Sequence, residues 1–477
     1  MPHDPTPEQS SIVEAATLTT NNLMLNALAG CGKSATLKLI DQAIKTKPAL
    51  YLVFNKRNSD EALAAQKVGE FASTTTIRTF NSLGHRIWAA SCANSVVLDR
   101  TKIRNLWREH IDTLTRGEAG AAWSQYQVVM DGIEKARALG YVPADVFPNA
   151  RRLISLTDLS RAMDEPPNDH AIDLIDTILT ESIKRAYKGH IDFNDQIYMP
   201  ALFGGTFPRF PLVMVDEYQD LSPVNHAMLG KLACGRIIGV GDPWQNIYGF
   251  RGAASGGMAG AVRRYEMTEF PLSVSFRCPR AIVEASHWHV PHFRWIKDGG
   301  NVSTPETFNH SSFMDDHTII CRNNAPLLRL AFKLISAGRS VTVIGSELGP
   351  RLVNIMKKLG DASINRSATV AEIESWRQER VLAGSKSAND LADCMRVFAE
   401  HGDTLGAAIS YAEHIFAAKG TIRLLTGHKS KGLEFDNVIH LDPWLIGDEA
   451  QERNLRYVVT TRSQNSLTVL DSDTIRW

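Results

Sequence analysis

A chain of 477 residues with 44% hydrophobic and 22% charged side chains has the composition of a soluble globular protein of two to four domains, and excludes a disordered or fibrous polymer. Lys plus Arg and Asp plus Glu both total 52, so the net charge of zero excludes a protein that coats nucleic acid by bulk positive potential; a polyanion would have to be met in a local groove. The six cysteines (31, 92, 234, 278, 321 and 394) form no CxxC pair, and no apolar run reaches the roughly 18 residues of a membrane span. With a polar, proline-bearing start unlike a signal peptide, these features lead to the expectation of a soluble, intracellular chain with free thiols and no membrane partner.

In chain order, short β-rich runs alternate with helical patterns. Strands are expected at 23–25, 49–54, 212–215, 236–240, 317–320, 341–344, 437–441 and 466–470. Several end in polar residues (Asn55, Asp216, Asp242), as in parallel α/β sheets whose ligands gather at the carboxyl ends of the strands. From 88 to about 188 the pattern is helical, with tryptophans at 88, 107 and 123, and reads as an insertion. Residues 370–420 are also helical and alanine-rich, while 361–390 is polar and is expected to be mobile.

The first strand runs into Ala27-Leu-Ala-Gly30-Cys31-Gly32-Lys33-Ser34, a phosphate loop with alanine in place of the first glycine. Such a loop curls successive backbone N–H groups of Ala29, Gly30, Cys31 and Gly32 around phosphate oxygens at a helix N-terminus. Lys33 is placed to neutralise the β- and γ-phosphates, and Ser34 to ligate Mg²⁺. A glycine turn between strand and helix would look alike, but the flanking elements favour the phosphate. After the run 210–215 come Asp216 and Glu217. Adjacent acids at the end of a buried strand are costly unless they bind something charged. Asp216 is placed to hold Mg²⁺ and Glu217 to deprotonate an attacking water. A solvated acidic turn is the plainer alternative for this pair taken alone.

Further blocks carry a resemblance. Gly241-Asp-Pro-Trp-Gln-Asn-Ile-Tyr-Gly-Phe-Arg-Gly-Ala253 resembles motif III of the superfamily 1 helicases, and Asp216-Glu-Tyr-Gln-Asp220 their motif II. Thr426-Gly-His-Lys-Ser-Lys-Gly-Leu-Glu-Phe435 is similar to motif V, Tyr457-Val-Val-Thr-Thr-Arg462 to motif VI, Thr79-Phe-Asn-Ser82 to motif Ia, Thr6-Pro-Glu-Gln9 to the Q motif and Ser275-Phe-Arg277 to motif IV. The blocks span almost the whole chain in the family's order. They most resemble the UvrD/Rep group, and within it the compact F-box DNA helicase type, which also shares the look of Leu50-Tyr-Leu-Val-Phe-Asn-Lys56.

The resemblance implies two RecA-like α/β domains with parallel sheets: 1–88 with 189–268 as the first, 89–188 as its helical insertion, and 269–477 as the second, carrying a small helical insertion near 370–420. It implies ATP and Mg²⁺ as cofactors and single-stranded and partial duplex DNA as partners, with replication or repair proteins as possible further ones. It implies a cytoplasmic location in a bacterium or phage-infected cell, or a nuclear one in a eukaryote. By the same resemblance Gln9 reads adenine, Phe276 stacks on it, Glu434 accepts from the ribose, Gln245 senses the γ-phosphate, and Arg277 and Arg462 contact that phosphate from the second domain. DNA contacts fall to Phe80, Asn81, Tyr248, Phe250, Arg251 and His428, with Trp244 an even choice between DNA and core. Stacking on aromatic faces gives binding without sequence preference. The expected activity is ATP-driven, 3′→5′ movement and duplex opening. The alternatives are a remodeller that strips proteins from single strands and an inactive binding module. Asp192-Phe-Asn-Asp195 resembles an element of this group, or equally a helix cap. Cys278, His287, His289 and His292 fit no familiar zinc spacing.

Overall fold

The computed structural model describes residues 4–44, 48–143, 146–247, 257–345, 347–385 and 387–477. The chain divides into two units, Met1–Leu28 with Gly32–Leu272, and Ala29–Cys31 with Ser273–Trp477. The fold class is the expected one, α/β with parallel sheets. Among the described residues no helix is long and apolar enough to cross a membrane.

The first unit is built on six strands: β1 (Leu23–Ala27), β2 (Ala49–Val53), β3 (Thr75–Thr79), β4 (Phe210–Val215), β5 (Ala233–Gly241) and β6 (Thr268–Leu272). They lie in the order β3-β2-β4-β5-β1-β6, every pair parallel. The central strands are near-continuous apolar runs because helices cover both faces of a parallel sheet; β2 is buried at all five positions. Helix α1 (Pro7–Leu18) starts at a capping box in which Thr6 and Gln9 satisfy each other's backbone N–H groups. Helix α2 (Lys33–Ala43) follows β1 after a tight loop.

Between β3 and β4 lie the helix Phe80–Ser91, then five helices from Lys102 to Tyr187, then Asp195–Phe203. Trp107 in the first of them is fully buried, with Trp123 and Tyr126 from the next two edge-on at 5.8 and 5.3 Å. Phe80–Ser91 and Asp195–Phe203 approach so closely that a Cβ on Gly84 would lie 1.9 Å from the Gln196 carbonyl oxygen. Asp192-Phe-Asn-Asp195 is more than a cap. The Asp192 carboxylate accepts the N–H of Asp195, and the Asp195 carboxylate accepts that of Asp192. Both acids are buried and paired, Asp195 with Lys102 at 2.6 Å and Asp192 with Arg137. Two acids from one turn thus hold two cations of the helices between β3 and β4, and removing one partner would strand a buried charge.

The second unit has its own six-stranded parallel sheet: β7 (Asn301–Ser303), β8 (His317–Cys321), β9 (Val341–Val343), β10 (Ile422–Thr426), β11 (Phe435–Leu441) and β12 (Ser463–Leu470), in the order β7-β12-β11-β8-β10-β9. Between β9 and β10 run Leu348–Met356, Arg366–Leu382, Ala388–His401 and Leu405–Ala417. Within the polar stretch 361–390, Arg366–Leu382 is a helix capped by Asn365, with Thr369 and Ile373 buried. It needs only a narrow apolar stripe because it packs along one side. Four strands of the two six-stranded sheets were not expected. Three of them, β3, β6 and β7, are edge strands that bury little and so carry a weak apolar signal, and β6 includes Pro271. The fourth, β10, is interior, with Arg423 interrupting its apolar run.

His440 on β11 gives this unit a pH dependence. Burial, helped by Arg456, pulls its imidazole down to about 4, against roughly 6.5 in an unfolded chain. Between those values the unfolded state binds a proton that the folded state refuses. The stability tied to neutral His440 is therefore complete above about pH 6.5 and is lost as pH falls toward 4, by an amount on the order of 3 kcal/mol. Urea unfolding between pH 7 and 4.5 is expected to fall more steeply for wild type than for His440→Gln. Parallel slopes would count against this assignment.

Candidate nucleotide site

The carboxyl ends of β1, β4 and β5 each deliver chemistry. β1 leads into the loop before α2. There Gly30 and Gly32 both take positive φ, +69° and +75°, which lets successive N–H groups turn toward one point. Ala29 and Cys31 are buried. Gly32 stands at the N-cap of α2 without a side-chain cap, leaving the helix N-terminus to an anion.

β4 delivers Asp216 and Glu217. Glu217 is held at φ +50°, a left-handed conformation unusual for a non-glycine residue and typical of constrained functional positions. Its carboxylate accepts from Lys33 Nζ at 2.9 Å. The Asp216 carboxylate accepts from Ser34 Oγ at 3.4 Å, from Tyr51 Oη at 3.1 Å and from the Glu217 N–H at 2.9 Å. β5 delivers Asp242, which accepts from the Gln245 side chain at 2.9 Å and the Trp244 N–H at 3.0 Å.

The electrostatics are lopsided. Burial, then the nearby Glu217 charge, pushes Asp216 up to about 6. Burial likewise pushes Asp242 up to about 6. Burial works against the Lys33 ammonium, but Glu217, Asp216 and Asp242 outweigh it and raise its pKa. Three acids thus face one lysine. An oxygen-only donor set, Ser34 Oγ and the Asp216 carboxylate, in a pocket with surplus negative charge fits Mg²⁺ brought in with phosphate oxygens.

Gln9 is buried at the foot of α1. Its Nε2 donates to Thr36 Oγ1 on α2 at 3.0 Å, and its Oε1 accepts the Thr6 N–H. In the second unit Arg277 and Glu434, expected at opposite ends of a nucleotide, form an ion pair, and Gln464 donates to Glu434 at 2.6 Å. Arg462 is buried. Its guanidinium donates to the carbonyls of Val458 and Leu433, both at 3.0 Å, and burial lowers its pKa to about 10. Phe276 and His428 are half-buried. His287 and His289 are engaged by the Phe293 carbonyl and the Asn454 side chain, each at 2.9 Å.

Of the expected DNA contacts, Tyr248, Phe250 and Arg251 lie outside the described residues. Phe80 is a correction. It is only 4% exposed and belongs to the hydrophobic core, so its ring presents no open face to a base. The open aromatic beside it is Phe193, 58% exposed, whose carbonyl accepts from Asn81 Nδ2 at 2.8 Å. Trp244 is half-buried.

The family model described as the UvrD/REP helicase N-terminal domain matches residues 6–266. The chain belongs to the UvrD/REP helicase family. The model of the UvrD-like helicase C-terminal domain matches residues 421–470. The chain is 24% identical over 317 residues to F-box DNA helicase protein 1 of Schizosaccharomyces pombe, covering 57% of this chain and 35% of that protein. It is 25% identical over 317 residues to F-box DNA helicase 1 of Gallus gallus, covering 58% and 30%. Over 80 residues it is 39% identical to the RecBCD enzyme subunit RecB of Mycolicibacterium smegmatis, covering 16% and 7%. The matched stretch therefore spans about a third of the length of the two F-box relatives.

Several residues of this UvrD/REP family chain that shape the site were missed by sequence reasoning. Tyr51 was read only as part of an apolar strand, yet a hydroxyl inside a buried run needs a partner, and here the partner is Asp216. Gln219 gives no signal of its own inside its motif, and Asp242 stands out in the sequence only as a polar strand end, although a polar residue at a buried strand end carries the same demand. Phe193 was hidden inside an element read equally as a family motif and as a helix cap.

Proposed function

We propose that the chain is an ATP hydrolase that couples hydrolysis to 3′→5′ movement on single-stranded DNA and to opening of duplex. The observation that carries the proposal is the cluster of Lys33, Ser34, Asp216 and Glu217 around one phosphate-binding loop, in a chain of a helicase family. In this reading Lys33 and the backbone N–H groups of Gly30 to Gly32 cradle the triphosphate, whereas the Ala29 N–H, expected to join them, is donated to Tyr457 Oη at 3.0 Å. Ser34 and Asp216 would hold Mg²⁺, which would screen the phosphate charge. Glu217 takes a proton from the water that attacks the γ-phosphorus as the bond to the ADP oxygen breaks. Lys33 neutralises the charge that accumulates on the phosphates.

Other roles rest on the resemblance: Gln9 and Phe276 for adenine, Glu434 for the ribose, Gln245, Arg277 and Arg462 for the γ-phosphate. So does the division into a first domain of 1–88 and 189–268, an insertion 89–188 and a second domain 269–477. The polarity is supported by the likeness of Lys431-Gly432-Leu433-Glu434 to the 3′→5′ group. On the DNA side the proposal takes Asn81 and His428 from the resemblance and Phe193 from its exposure, with Phe250, Tyr248 and Arg251 carried by the motif III likeness alone.

The test is displacement of a labelled strand from duplexes with a 3′ tail, a 5′ tail or no tail, with and without ATP. Displacement only with the 3′ tail and ATP supports the proposal. Displacement from the 5′-tailed duplex alone overturns the polarity. DNA-stimulated ATP turnover with no displacement, but with release of a protein roadblock, would favour the remodeller.

A further inference from the structure

We infer that Gln219 is a positioning residue that fixes the Glu217 carboxylate and ties it, through Asp242, to Gln245. The inference rests on the reading of Glu217 as the base that activates water, and deepens it.

Gln219 is 1% exposed, so its amide must find partners inside the protein. Its Nε2 donates to Glu217 Oε2 at 2.6 Å and lies 3.4 Å from Asp220 Oδ2. Its Oε1 accepts the backbone N–H of Asp242 at 3.0 Å. The Asp242 carboxylate in turn holds the Gln245 side chain. One amide therefore bridges the second residue after β4 and the residue after β5, and the chain of bonds runs from the proposed base to the proposed phosphate sensor. The sequence makes room for it: a Cβ on Gly241 would lie 2.4 Å from Gln219 Oε1.

The bridge has mechanical content. Glu217 leaves its strand in a left-handed turn, and Lys33 holds one of its oxygens, Oε2. Once phosphate draws Lys33 away, the Gln219 amide remains as a second donor on that same oxygen. It then decides where the carboxylate points when water must be aligned. A shift of Gln245 as it meets phosphate passes to Asp242, and from there to Gln219 and the base. Displacement of a catalytic group by about 1 Å is enough to cost on the order of 100-fold in rate.

The test uses the full chain as wild type, Gln219→Met, Gln219→Glu, Glu217→Gln and the double variant Glu217→Gln/Gln219→Met. Met fills the volume without either hydrogen bond. Glu keeps an acceptor for the Asp242 N–H but loses the amide donor, and it serves if the Met variant does not fold. Single-strand-stimulated kcat is expected to drop about 10- to 100-fold in both single Gln219 variants, with the Kd of a fluorescent ATP analogue within about threefold of wild type and the melting temperature close to it. In the Glu217→Gln background the further change should be absent, because a positioning residue has nothing left to position. A Gln219 variant with wild-type kcat, while Glu217→Gln is slow, overturns this inference and leaves the base assignment standing. Parallel losses in kcat, nucleotide affinity and melting temperature, or a further loss in the double variant, also overturn it by showing a merely structural role. Near-normal turnover of Glu217→Gln itself removes the base assignment, and this inference with it.

Discussion

Lys33→Ala is expected to reduce ATP turnover, with or without single-stranded DNA, by roughly 10²–10³-fold or to background. Lys33 is the cation set against Glu217, Asp216 and Asp242. Its loss leaves three acids facing an incoming triphosphate without the ammonium that offsets them. Binding and chemistry should both suffer, since the ammonium acts on the ground-state phosphates as well as on the charge that builds during transfer. Phosphate release at saturating single strand is the measurement. A variant that retained more than a tenth of wild-type turnover would show that the loop is not the hydrolytic centre.

Glu217→Gln should separate the two steps. The side chain keeps its length and an oxygen that can accept from Gln219 Nε2, so the local hydrogen-bond geometry survives. What disappears is the proton acceptor and one negative charge. Turnover is expected to fall by about 10²–10⁴-fold, the usual worth of a positioned general base. ATP affinity should be unchanged or tighter, because Lys33 no longer has an anionic partner competing with phosphate. Equilibrium binding of a fluorescent analogue alongside single-turnover hydrolysis measures both. Weak binding together with near-normal single-turnover chemistry would be the opposite pattern and would assign Glu217 to binding.

The parts of the fold that showed in the sequence are those where one physical demand dominates. The runs 49–54 and 212–215 read as strands because a parallel strand covered on both faces must be apolar throughout. The loop before α2 was legible because only small residues tolerate the left-handed turns that Gly30 and Gly32 make. Edge strands such as β3 and β6 escaped because half-exposed backbone imposes little on the side chains. At the site, Asp216 and Glu217 were legible as adjacent charges at the end of a buried strand, and Lys33 as a charge at the mouth of a helix after a glycine turn. Tyr51 and Gln219 were not, since hydrogen-bond partners distant in sequence leave no local pattern. Phe80 was not legible as a core ring because motif position does not report burial: it is 4% exposed, whereas Phe193, more than a hundred residues away, is 58% exposed.

The strand order of the first sheet has a consequence for how the protein is made. Both neighbours of β1 are the last two strands of that sheet, with Leu23 set against Ile238 on one side and Thr268 on the other. At about 5–20 residues per second of synthesis, the strand that carries the phosphate loop leaves the ribosome tens of seconds before either neighbour exists. During that interval an apolar β-segment stands with both of its hydrogen-bonding edges bare, the condition in which nascent chains are captured by chaperones or by each other. Expression at lower translation rates lengthens that exposure instead of relieving it, and the yield of soluble protein should track chaperone supply more closely than temperature.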